Sequence, residues 1–325
     1  MVKKPDNAIK ATLHAFGGLP VPEGRKSGVA RTADGASLRY SRWQALDHPS
    51  KGTVIILQGR SEHIEKYFEI IQELRQRGFG VLAFDWRGQG GSSRHTGDPR
   101  KGHVDHFDQY LIDLETILTQ VALPDCRAPH YILAHSTGAL VALLAAPALG
   151  NRIRRMVLCS PLIELANIPI PQSRLQKIAG LFSFLGMGRL YSDFTGRSKP
   201  NASFMGNKLT SDTTRFERSA TFLEEHPDLA LGPPTISWVF AACRAMTQIS
   251  YPEHISAITV PTLLIAAGAD QVVRSRAIER YGDQMRSGAF LTVFGAKHEL
   301  LHEADPLREQ ALAAFFAFVP GTEVG

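Results

Sequence analysis

Ser136 closes an apolar run, Tyr131-Ile132-Leu133-Ala134-His135, and is followed by Thr137-Gly138 and a helix-forming stretch from Val141 to Ala146. A serine on a sharp strand-to-helix turn needs small residues two before and two after it, and Ala134 and Gly138 meet that need. Such a turn presents Oγ as a nucleophile. It also sets the next backbone N–H, that of Thr137, at a helix N-terminus, where peptide dipoles favour a developing oxyanion. Ala134 stands where the full Gly-x-Ser-x-Gly pattern has its first glycine and adds one methyl group to the turn.

A serine nucleophile requires a base, and the base an orienting acid. One known chain order is nucleophile, acid, histidine, the last two lying just past the carboxyl ends of late strands. Here the strand-like Thr262–Ala266 precedes Gly268-Ala269-Asp270, and Phe290–Phe294 precedes Gly295-Ala296-Lys297-His298. Singly, Asp270 could cap the following helix and His298 could be a surface histidine. In this order, each at the tip of its own strand, Ser136, Asp270 and His298 read as a catalytic triad. A second oxyanion donor belongs on the loop after an early strand, Leu57-Gln58-Gly59-Arg60-Ser61-Glu62-His63. Gly59 lets the backbone turn so that the Arg60 N–H points toward the substrate carbonyl, beside that of Thr137; alone, it would equally serve a tight turn. Glu62 and His63 are expected to brace this loop.

The elements that must position these residues follow from periodicity. Two short strands flank Asp34-Gly35, a hairpin signal. Near-continuous apolar strands (Thr53–Leu57, Gly80–Phe84, Tyr131–Ala134, Arg155–Leu158) then alternate with helical segments, among them 64–77 and the amphipathic 107–123. That alternation implies an α/β fold, a mostly parallel sheet with helices on both faces. It lapses between about 160 and 255, where helical pieces (Leu175–Leu185, Thr213–Glu225, Ile236–Ser250) lack intervening strands, and resumes at Thr262. The expected organisation is a core from 1–160 and 256–325, with an inserted helical cap over 161–255.

Composition bounds the function. The 325 residues are 44% hydrophobic and 21% charged, with formal net charge +5, ordinary for a globular chain with a sizeable core. Basic residues are scattered; Arg152-Ile153-Arg154-Arg155 reads as a solvated connection, so no nucleic-acid partner is expected, while the mild basicity suits weak peripheral contact with anionic lipid. Three cysteines (Cys126, Cys159, Cys243), odd in number and far apart, give neither a disulfide framework nor zinc spacing. No signal-like or membrane-spanning run is evident, so the expected location is cytoplasmic, at most peripheral to the inner face of the membrane.

Several motifs together resemble the α/β-hydrolase superfamily, and within it bacterial lysophospholipases and monoacylglycerol lipases. Gln58-Gly59-Arg60-Ser61-Glu62-His63 resembles the H-G-x-x-E-H loop, Asp85-Trp86-Arg87-Gly88-Gln89-Gly90-Gly91-Ser92 the D-x-R-G-x-G-x-S turn, and Ala134–Gly138 the G-H-S-x-G elbow. Asn207-Lys208-Leu209-Thr210-Ser211-Asp212 resembles a lysophospholipase-type N-x-L-T-S-D segment. The likeness runs from about 30 to 318, departs from the pattern at Gln58 and Ala134, and implies the same triad and oxyanion donors, with no cofactor. It also implies a monoacyl-lipid ester as substrate, for which apolar cap residues, Phe182, Phe184 and Trp238 among them, are expected to line the acyl site. Other readings are a carboxylesterase on small esters, a peptidase of the same fold, a non-catalytic binding protein, or a zinc peptidase through His298-Glu299-Leu300-Leu301-His302, which fits His-Glu-x-x-His. That last pattern follows a strand and has no downstream third ligand. No metal site is therefore expected, and Glu299 and His302 are read as helix-start and surface residues.

Overall fold

The computed structural model describes residues 9, 11–47, 49–192 and 203–319. Positions 1–8, 10, 48 and 320–325 of the expected core, and 193–202 of the expected cap, lie outside them. Eight strands form one sheet: β1 (Lys26–Arg31), β2 (Ser37–Trp43), β3 (Thr53–Leu57), β4 (Gly80–Phe84), β5 (His130–His135), β6 (Arg155–Cys159), β7 (Thr262–Ala267) and β8 (Gly288–Val293). Their order is β1-β2-β4-β3-β5-β6-β7-β8. The hairpin β1–β2 and the β2–β4 pair are antiparallel, and every other pairing is parallel.

The inner strands β3–β7 carry nearly unbroken apolar runs because both faces are covered. Ile55, Leu57, Ile132 and Ala134 point into one apolar cluster, and Val54, Ile56, Tyr131 and Leu133 into the other, the two-residue period of a pleated strand. The first cluster takes residues of α2 (Asp108–Ile117), α4 (Ser136–Leu149), α7 (Ile236–Ile249) and α9 (Ser275–Gln284); the second takes α1 (Phe68–Gln76) and α10 (Asp305–Phe318). From Ser136 to Leu144 every residue of α4 is buried, as a helix apolar on all sides must be.

The helix expected over 107–123 divides: α2 widens into a π turn at Leu118–Ala122 and ends in a short turn, α3 (Leu123–Asp125). Between β6 and β7 no residue joins the sheet among those described. That stretch holds α5 (Gln172–Phe182), a π turn over Ser183–Met187 interrupted at Gly186 (φ 83°), α6 (Thr213–Glu225), α7 and α8 (Pro252–Ala257). Helix α7, although inside the stretch expected as a cap, shares the apolar cluster of α4.

Candidate active site

Parallel strands β3, β5, β7 and β8 end at one edge of the sheet, and the loops leaving them carry the reactive side chains. Ser136 follows β5 directly as the first residue of α4, with φ 50° and 7% exposure. A non-glycine residue in the left-handed region is strained, and the packing around it holds that conformation. A Cβ at Gly138 would lie 2.3 Å from the Leu57 carbonyl oxygen and 2.5 Å from that of Gln58, so only glycine lets the start of α4 seat against the end of β3. Ala134, by contrast, is fully buried within β5; its methyl group is packed there without displacing the elbow.

His298 Nε2 lies 2.9 Å from Ser136 Oγ, and its Nδ1 lies 2.8 Å from Asp270 Oδ2. The other Asp270 oxygen accepts from the Val272 and Val273 amides at 2.7 and 3.0 Å, so the carboxylate cannot swing away from the ring. With Nδ1–H donating to Asp270, Nε2 presents its lone pair to the serine hydroxyl. The Asp270 and His298 loops are tied to each other, Gly268 N–H donating to the Val293 carbonyl and Ala269 N–H to that of Ala296. Residues 136, 270 and 298, far apart in sequence, thus form one hydrogen-bonded relay able to deprotonate an alcohol in a water-poor site.

Arg60 and Thr137 flank the serine on the loop after β3 and on the first turn of α4. First-turn amides, Thr137's included, have no intrahelical acceptor. The Arg60 loop is held by its neighbours: Gly59 N–H donates to the Glu62 carboxylate, Ser61 takes φ 65°, and Gln89 Nε2 donates to the Gly59 carbonyl at 2.8 Å and to that of Glu62 at 3.1 Å. The D-x-R-G-x-G-x-S turn therefore props the loop from below; its Asp85 receives Ile64 N–H, Gly91 N–H and the Arg39 guanidinium. Gln58 is fully buried, and neither side-chain polar atom has a protein partner among the described residues.

Beneath the site runs an ionic network that sequence reasoning did not find. Lys66 Nζ bridges Glu62 Oε1 at 3.1 Å and Glu299 Oε1 at 2.6 Å. Glu62 also accepts from Tyr67 Oη at 2.7 Å and faces His135 Nδ1 at 3.1 Å, while His135 Nε2 reaches the His298 carbonyl at 3.2 Å. Burial by itself would raise the Glu62 pKa, but Lys66 and His135 outweigh it and hold the carboxylate well below its usual range. Burial would likewise lower His135, yet the Glu62 charge and hydrogen bond leave it raised. The network joins the Arg60 loop, the elbow and the His298 loop. Only the Glu62–Lys66 spacing hinted at it; Glu299 lies 233 positions from Lys66.

Several expectations are corrected. Glu299 and His302 are buried, at 8% and 6% exposure, rather than surface residues. The stretch 298–302 is not one turn of α-helix: His298 and Glu299 are irregular, and only Leu300–His302 forms a 3₁₀ turn. His302 packs edge-on against Tyr67, so the two imidazoles do not converge as the zinc signature requires. Among the described residues no group of three His, Cys, Asp or Glu side chains could hold a metal ion. His63 does brace its surroundings, facing Glu65 at 3.2 Å and stacking on Phe222.

Above the serine opens a cavity of about 650 Å³, mainly apolar, lined by Leu162, Leu165, Leu209, Phe216, Leu223, Leu231, Trp238 and Val272 together with Arg60, Ser136, Thr137 and His298. Of the three aromatics expected to line it, only Trp238 does. Phe182 and Phe184 lie outside its lining, and Phe184 is 88% exposed. Phe182 is the half-buried last residue of α5, and Phe184 lies in the π turn that follows it. The N-x-L-T-S-D segment, whose Leu209 lines the cavity, packs against the loop that carries His298. Glu299 N–H donates to the Leu209 carbonyl, Thr210 Oγ1 to the His302 carbonyl, and Lys297 Nζ to the carbonyls of Asn207 and Thr210, so the inserted segment grips the histidine loop.

A family model described as "Serine aminopeptidase, S33" matches residues 48–305. The chain is 32% identical over 293 residues to lysophospholipase L2 of Escherichia coli strain K12, covering 88% of this chain and 84% of that protein. It is 31% identical over 267 residues to a probable lysophospholipase L2 of Haemophilus influenzae, covering 82% and 83%. Among solved structures, a soluble variant of Saccharomyces cerevisiae monoglyceride lipase superposes with TM-score 0.72 at 18% identity, over 98% of this chain and all of that one. The fold is that of the α/β-hydrolases.

Proposed function

The chain belongs to the family described as serine aminopeptidase, S33, and from that premise we propose that it is a serine hydrolase of monoacyl-lipid esters. The observation that carries the reading is a hydrogen-bonded Ser136–His298–Asp270 relay opening into a mainly apolar cavity of about 650 Å³. Ser136 Oγ attacks the ester carbonyl while His298 Nε2 takes its proton. Asp270 holds the ring and stabilises the imidazolium. The Arg60 and Thr137 N–H groups receive the oxyanion. His298 returns the proton to the departing alcohol, and water, activated by the same histidine, releases the acyl group. No cofactor takes part. The relatives named lysophospholipase favour an ester over the peptide bond of the family's description, and the apolar walls suit an acyl chain.

Lipid substrates reside at an interface. On the inserted segment Ile178, Leu181, Phe184 and Leu185 are 46–88% exposed at helical spacing, beside exposed Arg174, Lys177 and Arg189. We read this strip as the face that meets anionic lipid, with the inserted segment acting as a cap over the core. Among the described residues no helix is long and apolar enough to cross a membrane. Three free cysteines, the Cys159 thiol pushed up to about 12 by burial, suit a reducing compartment, and cytoplasmic residence at the membrane's inner face follows from that reading.

The test is covalent labelling with a fluorophosphonate, together with hydrolysis of aryl esters of rising acyl length, monoolein and lysophosphatidylcholine. Labelling that disappears in Ser136→Ala, with activity rising with acyl length, is expected. A steep preference for short acyl groups would move the assignment to a carboxylesterase of small esters. Neither label nor turnover would leave a binding protein.

A further inference from the structure

Arg60 brings into the cavity a positive charge that no carboxylate neutralises among the described residues. Its Nη1 donates to Ser61 Oγ at 3.0 Å and its Nη2 to the Gly232 carbonyl at 2.7 Å, and the guanidinium lies 5.4 Å from the centre of the Trp238 ring. Nε is buried without a protein partner. Burial pulls the pKa down to about 10, which leaves the group charged at neutral pH.

Arg60 is half-buried, and its contrast with the buried cations is chemical. Arg39 pairs with Glu65 and Asp85, Arg87 with Asp34 and Asp113, and Lys66 with Glu62 and Glu299. Half-buried Arg94 also lacks a carboxylate among the described residues, but three backbone carbonyls take its N–H groups, and it does not line the cavity. Among the described residues only Arg60 combines an unpaired charge, an unused donor and a place in the cavity wall with Ser136. Arg100, which also lines the cavity, is exposed, and its carbonyl accepts from the N–H of the same Gly232 that takes Arg60. Glu224 lines the cavity as well and is exposed.

Desolvating a cation without a counter-charge is costly, and a ligand that brings an anion removes that cost. An ester held at Ser136 places its alcohol portion in the same cavity. In a monoacylglycerol that portion is neutral; in a lysophospholipid it bears a phosphodiester, which a guanidinium binds through charge-assisted hydrogen bonds. We propose that Arg60 is a specificity residue whose guanidinium binds the headgroup phosphate, so that the site selects phosphate-bearing monoacyl lipids over monoacylglycerols. This rests on the monoacyl-lipid reading above and narrows it.

The experiment compares wild type, Arg60→Met and Arg60→Lys, both of which keep the backbone N–H. First, kcat/KM is measured for 1-oleoyl-lysophosphatidylcholine and 1-monoolein in the same mixed micelles. The phospholipid-to-monoolein ratio should fall about tenfold or more in Arg60→Met, chiefly through KM, and recover in part in Arg60→Lys. Second, sn-glycerol 3-phosphate should compete with a soluble aryl ester in wild type far better than glycerol does, and lose that advantage in Arg60→Met. An unchanged ratio, an equal fall for both lipids, or competition no better than glycerol's would overturn the assignment. If wild type hydrolyses aryl esters but neither lipid, the lipid reading fails by itself, and the competition arm still decides the role of Arg60.

Discussion

Asp270 divides its two oxygens between the His298 ring and two backbone amides, and this division makes a testable difference. Asp270→Asn keeps the shape but offers an amide where Nδ1–H needs an acceptor, which favours the wrong imidazole tautomer. We expect kcat to fall about a thousandfold or more with KM little changed, measured by steady-state ester hydrolysis. His302 gives a second prediction. Burial first, then the Lys66 charge, hold its pKa well below 6.5, so the unfolded chain takes up a proton that the folded chain refuses. Its contribution is fully present above pH 6.5 and is lost as pH falls below it. Between pH 7 and 5 wild type should lose more melting temperature than His302→Asn, by calorimetry; parallel losses would contradict this. At this scale the hydrogen-bonded Ser136–His298–Asp270 relay was legible because each member follows an apolar strand-like run. Glu299 and His302 were misread because nothing near them in sequence reveals that Lys66 and Tyr67 pack against them.

Three loops, after β3, β5 and β8, are clamped by the Glu62–Lys66–Glu299 bridge and by His135. Removing the shared cation leaves two carboxylates buried together. Lys66→Met should therefore lower stability by about 3–5 kcal/mol in denaturant titration, and adding Glu299→Gln should restore part of it by removing one of the stranded charges; no recovery would argue against direct coupling. The elbow makes a stricter demand. A methyl group at Gly138 meets two carbonyl oxygens of the β3 end below 2.6 Å, and backbone yields little. Gly138→Ala should displace Ser136, abolishing fluorophosphonate labelling even where circular dichroism shows a folded chain. The sequence pattern indicated a small residue at 138, but not what it packs against. Likewise the 3.6-residue period placed helices over 107–123 and 175–185 yet missed the π turns that end them, because a single-residue widening leaves the apolar pattern almost intact.

Taken whole, the molecule sets a polar, ion-paired floor beneath the serine, an apolar cavity over it, and an exposed apolar strip on the inserted segment. If that strip meets lipid, Phe184→Ser with Leu185→Ser should lower partitioning onto anionic vesicles by about tenfold, read by co-sedimentation and normalised to hydrolysis of a dispersed aryl ester; unaltered partitioning would remove the strip from the interface. From sequence alone came the α/β class, the strand ends and the order of Ser136, Asp270 and His298, since strand burial and turn chemistry are written in neighbouring residues. Tertiary structure alone decided that Trp238 rather than Phe182 or Phe184 faces the cavity, that Glu299 pairs with Lys66, and that the Arg60 side chain has no counter-ion among the described residues. These depend on which distant side chains share a desolvated space, and local periodicity carries no record of that.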